Sequence, residues 1–466
     1  MSQFSDKLKK YTERRGITVV SFARQLGIDR ATLHKMISGE RRPTSAEQVT
    51  AICRLLMLSA DEAAELKELY KITVMGENVY SRRLRVKRMI QRFSELEDGN
   101  GFGDLVQRSI AKIPPSVPPV MVCRTFDELA ETARPMLGRS FMKGSGMKTI
   151  CQPDRKLKEL LGSCAFGRGI KEHIICFDNT ADSEHNLNLF PEICAYAFID
   201  NNYRPLCYYG NVREHINSMT LMPVLFVTDD LAICAEIDLG TSIIYTDPET
   251  VDFYRRVFDR MKAECFPFVE VDDSLSDMLR RLDNYPSYTL TFDRQPSVVL
   301  TLDDNDIKRM LALDKEYLNA ALEKAGYLRK MFLDTGYISI FSEEGLRELV
   351  LKGICEELPS PDGGCLEADT RRQILTRMIE FSESGRYDYR IVDSEHASMG
   401  LRVNLVEGRH IKLVSRRPDR GMHFVDVSEQ SIVSAFNDYI EYLMADGMVY
   451  SREKTLEIMR GYLEML

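Results

Sequence analysis

The sequence predicts a multidomain protein: an all-α helix-turn-helix head followed by an α/β or α+β body, the body being either one fold or two related α/β units. Three observations predict this. Residues Val19 to Ser38 carry a two-helix pattern around a glycine turn. An excess of basic charge is confined to the N-terminal end. Beyond residue 120, strand-like and helix-like segments alternate. At 466 residues the chain has room for about two to four domains. Its 44% apolar and 29% charged content is that of an ordinary globular protein.

The head opens with Phe4, Leu8 and Tyr11, spaced i, i+4, i+7, which give one apolar stripe of a first helix that Gly16 ends. The next two helices must cross steeply over a short turn. Ala23 is the small residue where they touch, and Gly27 tolerates positive φ in the turn. The inward positions are Phe22, Leu26, Ile28, Leu33 and Met36, all apolar. At the chain's apolar content, five of five arises by chance about 2% of the time. Asp29 is placed to cap the second helix of the pair. After it, Gly39 is a helix stop, Pro43 delays the next helix, and Thr44 or Ser45 can cap it. Val49, Ile52, Cys53 and Leu56 form one more stripe.

This arrangement resembles the phage lambda repressor-like DNA-binding domains, also called the XRE family. The resemblance rests on the glycine turn, the Gly39-Glu40-Arg41-Arg42-Pro43 loop and the apolar run Leu55-Leu56-Met57-Leu58. It covers about residues 4–70. It implies that the helix after Gly27 enters the major groove of double-stranded DNA and meets base edges with its N-terminal residues. The outward positions are then Arg30, Ala31, His34 and Lys35. Arg30 suits the O6/N7 edge of guanine, Ala31 a thymine methyl, and Lys35 a guanine or a phosphate. Thr32, Ser38, Arg41 and Arg42 suit phosphate contacts that position the head without reading sequence. The family often begins the first motif helix with a polar phosphate-binding residue. Here Val19 and Val20 stand there, and Thr18 is the substitute. The alternative is a helix-turn-helix kept as a protein-interaction module.

Charge divides along the chain. Residues 1–95 carry 19 Lys and Arg against 11 Asp and Glu, whereas the whole chain carries 62 against 71. A basic head attracts phosphate and an acidic remainder does not. The densest basic segment, Arg82-Arg83-Leu84-Arg85-Val86-Lys87-Arg88 with Arg92, either extends a DNA footprint or is a helix that is solvated or docked on the acidic body. No run of about 18 apolar residues exists, so no membrane span is expected. The polar, basic first 15 residues lack a signal-peptide core, which fits a cytoplasmic location. Eleven cysteines in such a chain are expected as reduced thiols; none forms a CxxC pair, and most sit in apolar surroundings as small buried hydrophobes.

The expected organisation is a head over 1–72, a helical and Pro-rich connector over 73–120, and α/β domains over 121–285 and 286–466. In the connector, Met75 to Glu97 reads as a polar helix and Ile113 to Pro119 as a stiff spacer with four prolines. In the body, strands are expected at Ile170–Phe177, Ala195–Ile199, Leu206–Tyr209, Met222–Thr228, Leu231–Ile237 and Ser242–Thr246. Asp247-Pro248-Glu249-Thr250 starts a helix. Helices are expected over Phe126–Leu137, around Leu157–Leu161, and over Asp303–Leu333, Leu346–Glu357 and Arg371–Ser382. Strands follow at Ile338–Phe341, Tyr389–Val392, Gly400–Leu405, Ile411–Ser415 and Met422–Val427, and two helices end the chain. The tetrapeptide Asp182-Ser183-Glu184-His185 recurs as Asp393-Ser394-Glu395-His396, a faint sign of a duplicated unit.

No catalytic residues, metal ligands or cofactor are expected. Glu184-His185 and Glu395-His396 read as solvated turns, Gly144-Ser145-Gly146-Met147-Lys148 lacks P-loop spacing, and neither HExxH nor GxSxG occurs. His410 and His423 with Lys412, Arg416, Arg417 and Arg420 form either an anion site or a solvated hairpin. The expectation is a transcriptional regulator, not an enzyme. It binds a pseudo-palindromic operator as a homodimer, its body dimerises, and a small-molecule or protein effector acts on that body. The alternatives are an enzyme, or an antitoxin or defence-type interaction protein, with an autoregulatory DNA-binding head.

Overall fold

The computed structural model describes residues 2–96, 117–161, 169–180, 184–200, 202–210, 222–272 except 268, 289–310 except 299, a few between 319 and 329, 336–357, and 365–466 except 386, 399, 407–408 and 418–420. The chain divides into two compact units, Met1–Arg85 and Val86–Leu466.

The first unit is helical: α1 (Gln3–Arg15), α2 (Val19–Leu26), α3 (Arg30–Ser38), α4 (Ala46–Leu55), α5 (Ala60–Met75) and the start of α6 (Glu77–Leu96). The side chains of Ser2, Thr18, Asp29, Ser45 and Ser59 cap α1 to α5, each accepting a backbone N–H of the first turn. Gly27 ends α2 at φ 69°, where a β-carbon is disfavoured, and lets the chain turn into α3. Phe22, Ala23, Leu33 and Met36 are buried, whereas Leu26 and Ile28 are half-buried at the rim. Helix α5 is tied to α1 by charge. Both Glu62 oxygens accept from the Arg14 guanidinium, and Glu65 accepts from Lys7 at 2.6 Å and from the Tyr11 hydroxyl at 2.8 Å. The Arg14 hydrogen bonds hold the Glu62 carboxyl at about 2. Burial, helped by Glu65, pushes the Tyr11 phenol up to about 12.

The second unit begins within α6. Val86, Met89 and Ile90 lie in its main core, and Lys87 pairs with Glu395 at 2.9 Å, so this part of the basic run is docked on the body. There follow β1 (Val120–Cys123), α7 (Phe126–Met142), β2 (Met147–Ile150), α8 (Arg155–Leu161), β3 (Lys171–Asp178), α9 (Glu184–Ile199), β4 (Tyr203–Gly210), β5 (Val224–Val227), β6 (Ala232–Ala235), β7 (Ser242–Tyr245) and α10 (Pro248–Lys262). Then come β8 (Phe266–Pro267), β9 (Val269–Asp272), β10 (Leu290–Phe292), α11 (Asp304–Met310), β11 (Tyr337–Ser342), α12 (Glu343–Arg347) and a π-helical turn (Glu348–Lys352). The chain closes with α13 (Ala368–Glu383), β12 (Tyr387–Val392), β13 (Leu401–Val406), β14 (His410–Arg417), β15 (Gly421–Val427), α14 (Gln430–Ala445) and α15 (Arg452–Glu464).

The strands form two mixed sheets with the same topology. The first runs β1-β7-β6-β5-β2-β3-β4-β8 and the second β9-β15-β14-β13-β10-β11-β12. In each, three parallel strands (β2-β3-β4; β10-β11-β12) continue into an antiparallel meander (β5-β6-β7; β13-β14-β15) closed by the strand that precedes the unit (β1; β9). The body is therefore a duplicated α/β unit. The tetrapeptide echo does not mark equivalent places, because Glu184-His185 follows β3 and Asp393 to His396 follow β12, the counterpart of β4. His396 is buried rather than solvated, with Nδ1 2.7 Å from an Asp393 carboxylate oxygen.

The two α/β halves of the body stack through a shared helical layer. One cluster joins Ile175 and Phe177 of the first sheet to Phe292 and Val403 of the second through Phe190 of α9 and Phe436 of α14, whose rings meet edge to face at 6.2 Å. The other face of the first sheet packs on α10 through Ile174, Leu206 and Phe258. The outer face of the second packs on α13 and α15.

The structure corrects several expectations. Ala195–Ile199 belongs to helix α9, not to a strand. Ile193, Cys194, Ala195 and Ala197 are all buried between the sheets, so the segment has no polar face to reveal its period. The helix expected over Leu346–Glu357 starts at the Ser342 cap but ends at Gly353 in a left-handed turn. Strands β1, β2 and β10 are only three or four residues long, too short to show a period in the sequence. Lys412 is buried opposite Asp426, its Nζ 3.3 Å from the carboxylate, which removes it from the expected basic patch; the Arg416, Arg417, Arg420 and His423 side chains lie outside the described residues. Most of Asp303–Leu333, and the Pro-rich spacer up to residue 116, also lie outside them. Ten cysteines are described, all as free thiols, six of them buried.

Two stability predictions follow from these caps and buried groups. Asp29→Ala removes the α3 cap and is expected to cost about 1 kcal/mol of head stability by chemical denaturation; an unchanged midpoint would contradict the capping role. His173 is buried, with Nδ1 2.7 Å from the Tyr203 hydroxyl and Nε2 3.0 Å from the Cys151 carbonyl. Desolvation lowers its pKa from 6.5 to about 4, against the opposing pull of that carbonyl. The unfolded chain takes up this proton below pH 6.5 and the folded chain does not until about pH 4. Its contribution is thus intact above pH 6.5 and declines through this window by up to about 3 kcal/mol. In His173→Gln, denaturation at pH 7 and pH 4.5 is expected to show a smaller drop than wild type. Equal drops would assign the acid sensitivity elsewhere.

Candidate nucleic-acid interface

Helix α3 is fixed from below by Leu33 and Met36, both 0% exposed, and from its start by Asp29. The Asp29 carboxylate accepts from the Thr32 backbone N–H at 2.7 Å and from the Thr32 hydroxyl. That hydroxyl, then the backbone donors, hold its pKa below the ordinary carboxylate value. Asp29 therefore stays ionised at the helix N-terminus, where negative charge is favourable.

The opposite face of α3 is open. Arg30, Ala31, His34 and Lys35 are exposed and span about 140° of the helix surface, at about 100° per residue. Among the described residues none of the Arg30, His34 and Lys35 side chains has an intramolecular hydrogen bond or ion pair. Their donors are free for a ligand. Thr18 is exposed at the start of α2, where its oxygen accepts from the Ser21 N–H at 3.3 Å while its hydroxyl proton remains available.

The remaining sequence-selected residues divide differently. The Thr32 hydroxyl donates to Asp29 and accepts from Arg41 at 3.4 Å, so it organises its neighbours rather than offering a free donor. The Ser38 hydroxyl lies 3.2 Å from the Lys35 carbonyl and 3.0 Å from the Glu40 carboxylate. Both hydroxyls are thereby engaged. Arg41 and Arg42 are exposed on the loop after α3. The Arg41 backbone N–H donates to the Lys35 carbonyl at 3.0 Å, and the Arg42 guanidinium reaches the Val74 carbonyl at 3.4 Å. Pro43 is buried and its carbonyl accepts from the Tyr70 hydroxyl at 3.5 Å, which anchors the loop. Sequence reasoning missed Glu40. Its place between Gly39 and Arg41 was visible, but its role as the acceptor that orients Ser38 was not.

The arrangement offers two cations, one imidazole and one methyl on a helix narrow enough for a major groove, with two flanking arginines. Among the described residues no group of His, Cys, Asp and Glu is arranged to hold a metal ion, and no helix is long and apolar enough to cross a membrane.

A helix-turn-helix domain family matches residues 3–66. No curated protein matches the chain. Among solved structures, a phosphatidylserine synthase of Haemophilus influenzae Rd KW20 is 10% identical, over 78% of this chain and 97% of that one, with a TM-score of 0.23. TrmBL2, described as an archaeal chromatin protein with a novel mode of DNA binding, is also 10% identical, over 57% of this chain and 94% of that one, with a TM-score of 0.23. Scores this low relate neither fold to the body described above. The capped helix pair, the glycine turn and the matched residues agree: residues 3–66 are a helix-turn-helix domain of the DNA-binding kind, consistent with the phage lambda repressor type.

Proposed function

We propose that the protein is a transcriptional regulator that binds a pseudo-palindromic operator as a homodimer. In this reading α3 lies in the major groove, and the duplicated body supplies dimerisation and responds to a small-molecule or protein effector. The body has no catalytic role in it. The observation that carries the reading is the outward face of α3, where Arg30, His34 and Lys35 are exposed without internal partners among the described residues, on a helix whose start is capped and whose inner side is buried. A residue kept for the fold alone has no need of such a face.

Dimerisation follows from the size of the head. One helix in one groove covers few base pairs, and two heads about one helical turn apart read a two-fold site with useful affinity. The reading predicts a protected two-fold site when the purified protein is footprinted on DNA upstream of its own gene. Arg30→Ala is expected to cost about 1–3 kcal/mol of operator binding and to relax one base position per half-site. Arg41→Ala is expected to weaken all sequences alike and to flatten the salt dependence by about one unit per head. Protection that survives Arg30→Ala combined with Lys35→Ala would remove α3 as the reading helix. Absence of any protected site, with or without candidate effectors, would leave the head as a protein-interaction module.

A further inference from the structure

We propose that the homodimer is built by the edge strand β1 pairing antiparallel with β1 of a second copy, joining the two first sheets into one; this rests on the dimeric regulator reading above. Strand β1 ends its sheet. It pairs with β7 on one side, and among the described residues no strand lies on the other. Its counterpart in the second unit, β9, is packed on by β4 and α9. Strand β9 also ends its sheet, but β4 of the other half of the body lies beside it, whereas among the described residues no strand lies beyond β1.

The strand, Val120-Met121-Val122-Cys123, carries none of the usual protection of an edge: no charge, no proline and no bulge within it. The Thr246 N–H donates to the Pro119 carbonyl at 2.9 Å. Hydrogen bonding alternates along an antiparallel ladder. The N–H and C=O groups of Val120 and Val122 thus point away from β7, toward the open side. The valine side chains are also exposed, at 50% and 59%. They continue into an apolar patch over Ile243 and Tyr245, which lie opposite them on β7, and Phe253 of α10, itself 50% exposed. The Tyr245 and Tyr254 rings lie 5.6 Å apart, and those of Phe253 and Tyr254 5.3 Å apart, so the patch is continuous.

These features select a second copy as the occupant. With Met121 on a two-fold axis, Val120 of one copy exchanges both backbone hydrogen bonds with Val122 of the other, and the reverse pair does the same. Both sets of outward groups are then used at once. The same register places valine beside valine on the α10 face and brings the two apolar patches together. It also sets the exposed Arg124 of each copy across from Pro118 of the other. The Thr246 hydroxyl donates to the Pro118 carbonyl at 2.9 Å, and the next residue is Asp247, the acidic cap of α10, so Arg124 approaches a group of opposite charge.

The test is the oligomeric state of the full chain by sedimentation, with two variants. V122K sets two ammonium groups near the axis and is expected to raise the dimer dissociation constant about 100-fold or more. Its thermal melting should match wild type at low concentration, because the side chain is mostly exposed. M121C sets two thiols across the axis at a Cα separation of about 4.5 Å, within disulfide reach. It is expected to form a covalent dimer under mild oxidation that wild type, with its native cysteines, does not form. A dimer that survives V122K, or an M121C protein that stays reduced while dimeric, would overturn this pairing and leave the operator reading standing. A wild-type chain that is monomeric at about 50 µM and on operator DNA would overturn both the pairing and the dimer.

Discussion

A sheet with parallel strands at its centre must be covered on both faces, because its strands are apolar on both. This constraint organises the body. Each unit brings a helix between its parallel strands and another after its meander, and the units stack so that α9 of the first and α14 of the second share one layer between the sheets. Phe190 and Phe436 meet there. The result is a single cluster from Ile175 to Val425, and residues 86–466 therefore hold together as one unit rather than two. The stacking is not symmetric. The face of the first sheet that carries α9 meets the face of the second that carries α14, so equivalent surfaces of the two units have different neighbours.

The head obeys a different economy. Its helices are short, and five side-chain caps and the left-handed Gly27 set where each begins and ends. Charged groups inside it divide into two populations. Lys7 and Arg14 are committed to Glu65 and Glu62, which fastens α5 to α1. Arg30 and Lys35 on α3 have no such commitments. The division is physical: an ion pair already made inside the protein offers little to phosphate, whereas an exposed cation without a partner releases counterions when it meets one.

Much of the head was legible in the sequence, since glycine, cap residues and 3.6-residue periodicity are local signals. Gly16, Gly27, Gly39 and Asp29 each stand where the structure puts a helix end. The body was legible wherever a strand was long or a cap strong, as at β3, β14 and the Asp247-Pro248 start of α10. It failed where burial erased the period, as at Ala195–Ile199, and where a strand was too short to show one, as at β10. The duplication is a property of connection order, which sequence shows only through motifs. The one motif that hinted at it fell at unequal positions. In the candidate interface the exposed face of α3 was readable by spacing, but the engagement of Thr32 and Ser38 was not. It depends on which acceptors, Asp29 and Glu40, lie within reach.

The count of basic residues therefore overstates the electrostatic reach of a single head. Of the hydroxyls expected to hold phosphate, two are engaged internally, and two cations near the N-terminus are held by acids. What remains free on α3 and its loop is a handful of donors. Each phosphate neutralised contributes a salt exponent of about 0.9, so a head with few contacts loses most of its sequence-independent affinity at physiological ionic strength. Two heads on one site double that exponent and the number of bases read, while an acidic body adds nothing to phosphate binding elsewhere. Selective binding by such a head then depends on assembly more than on the helix itself. In the dimer proposed above, the edge strand β1 of the first sheet supplies that assembly.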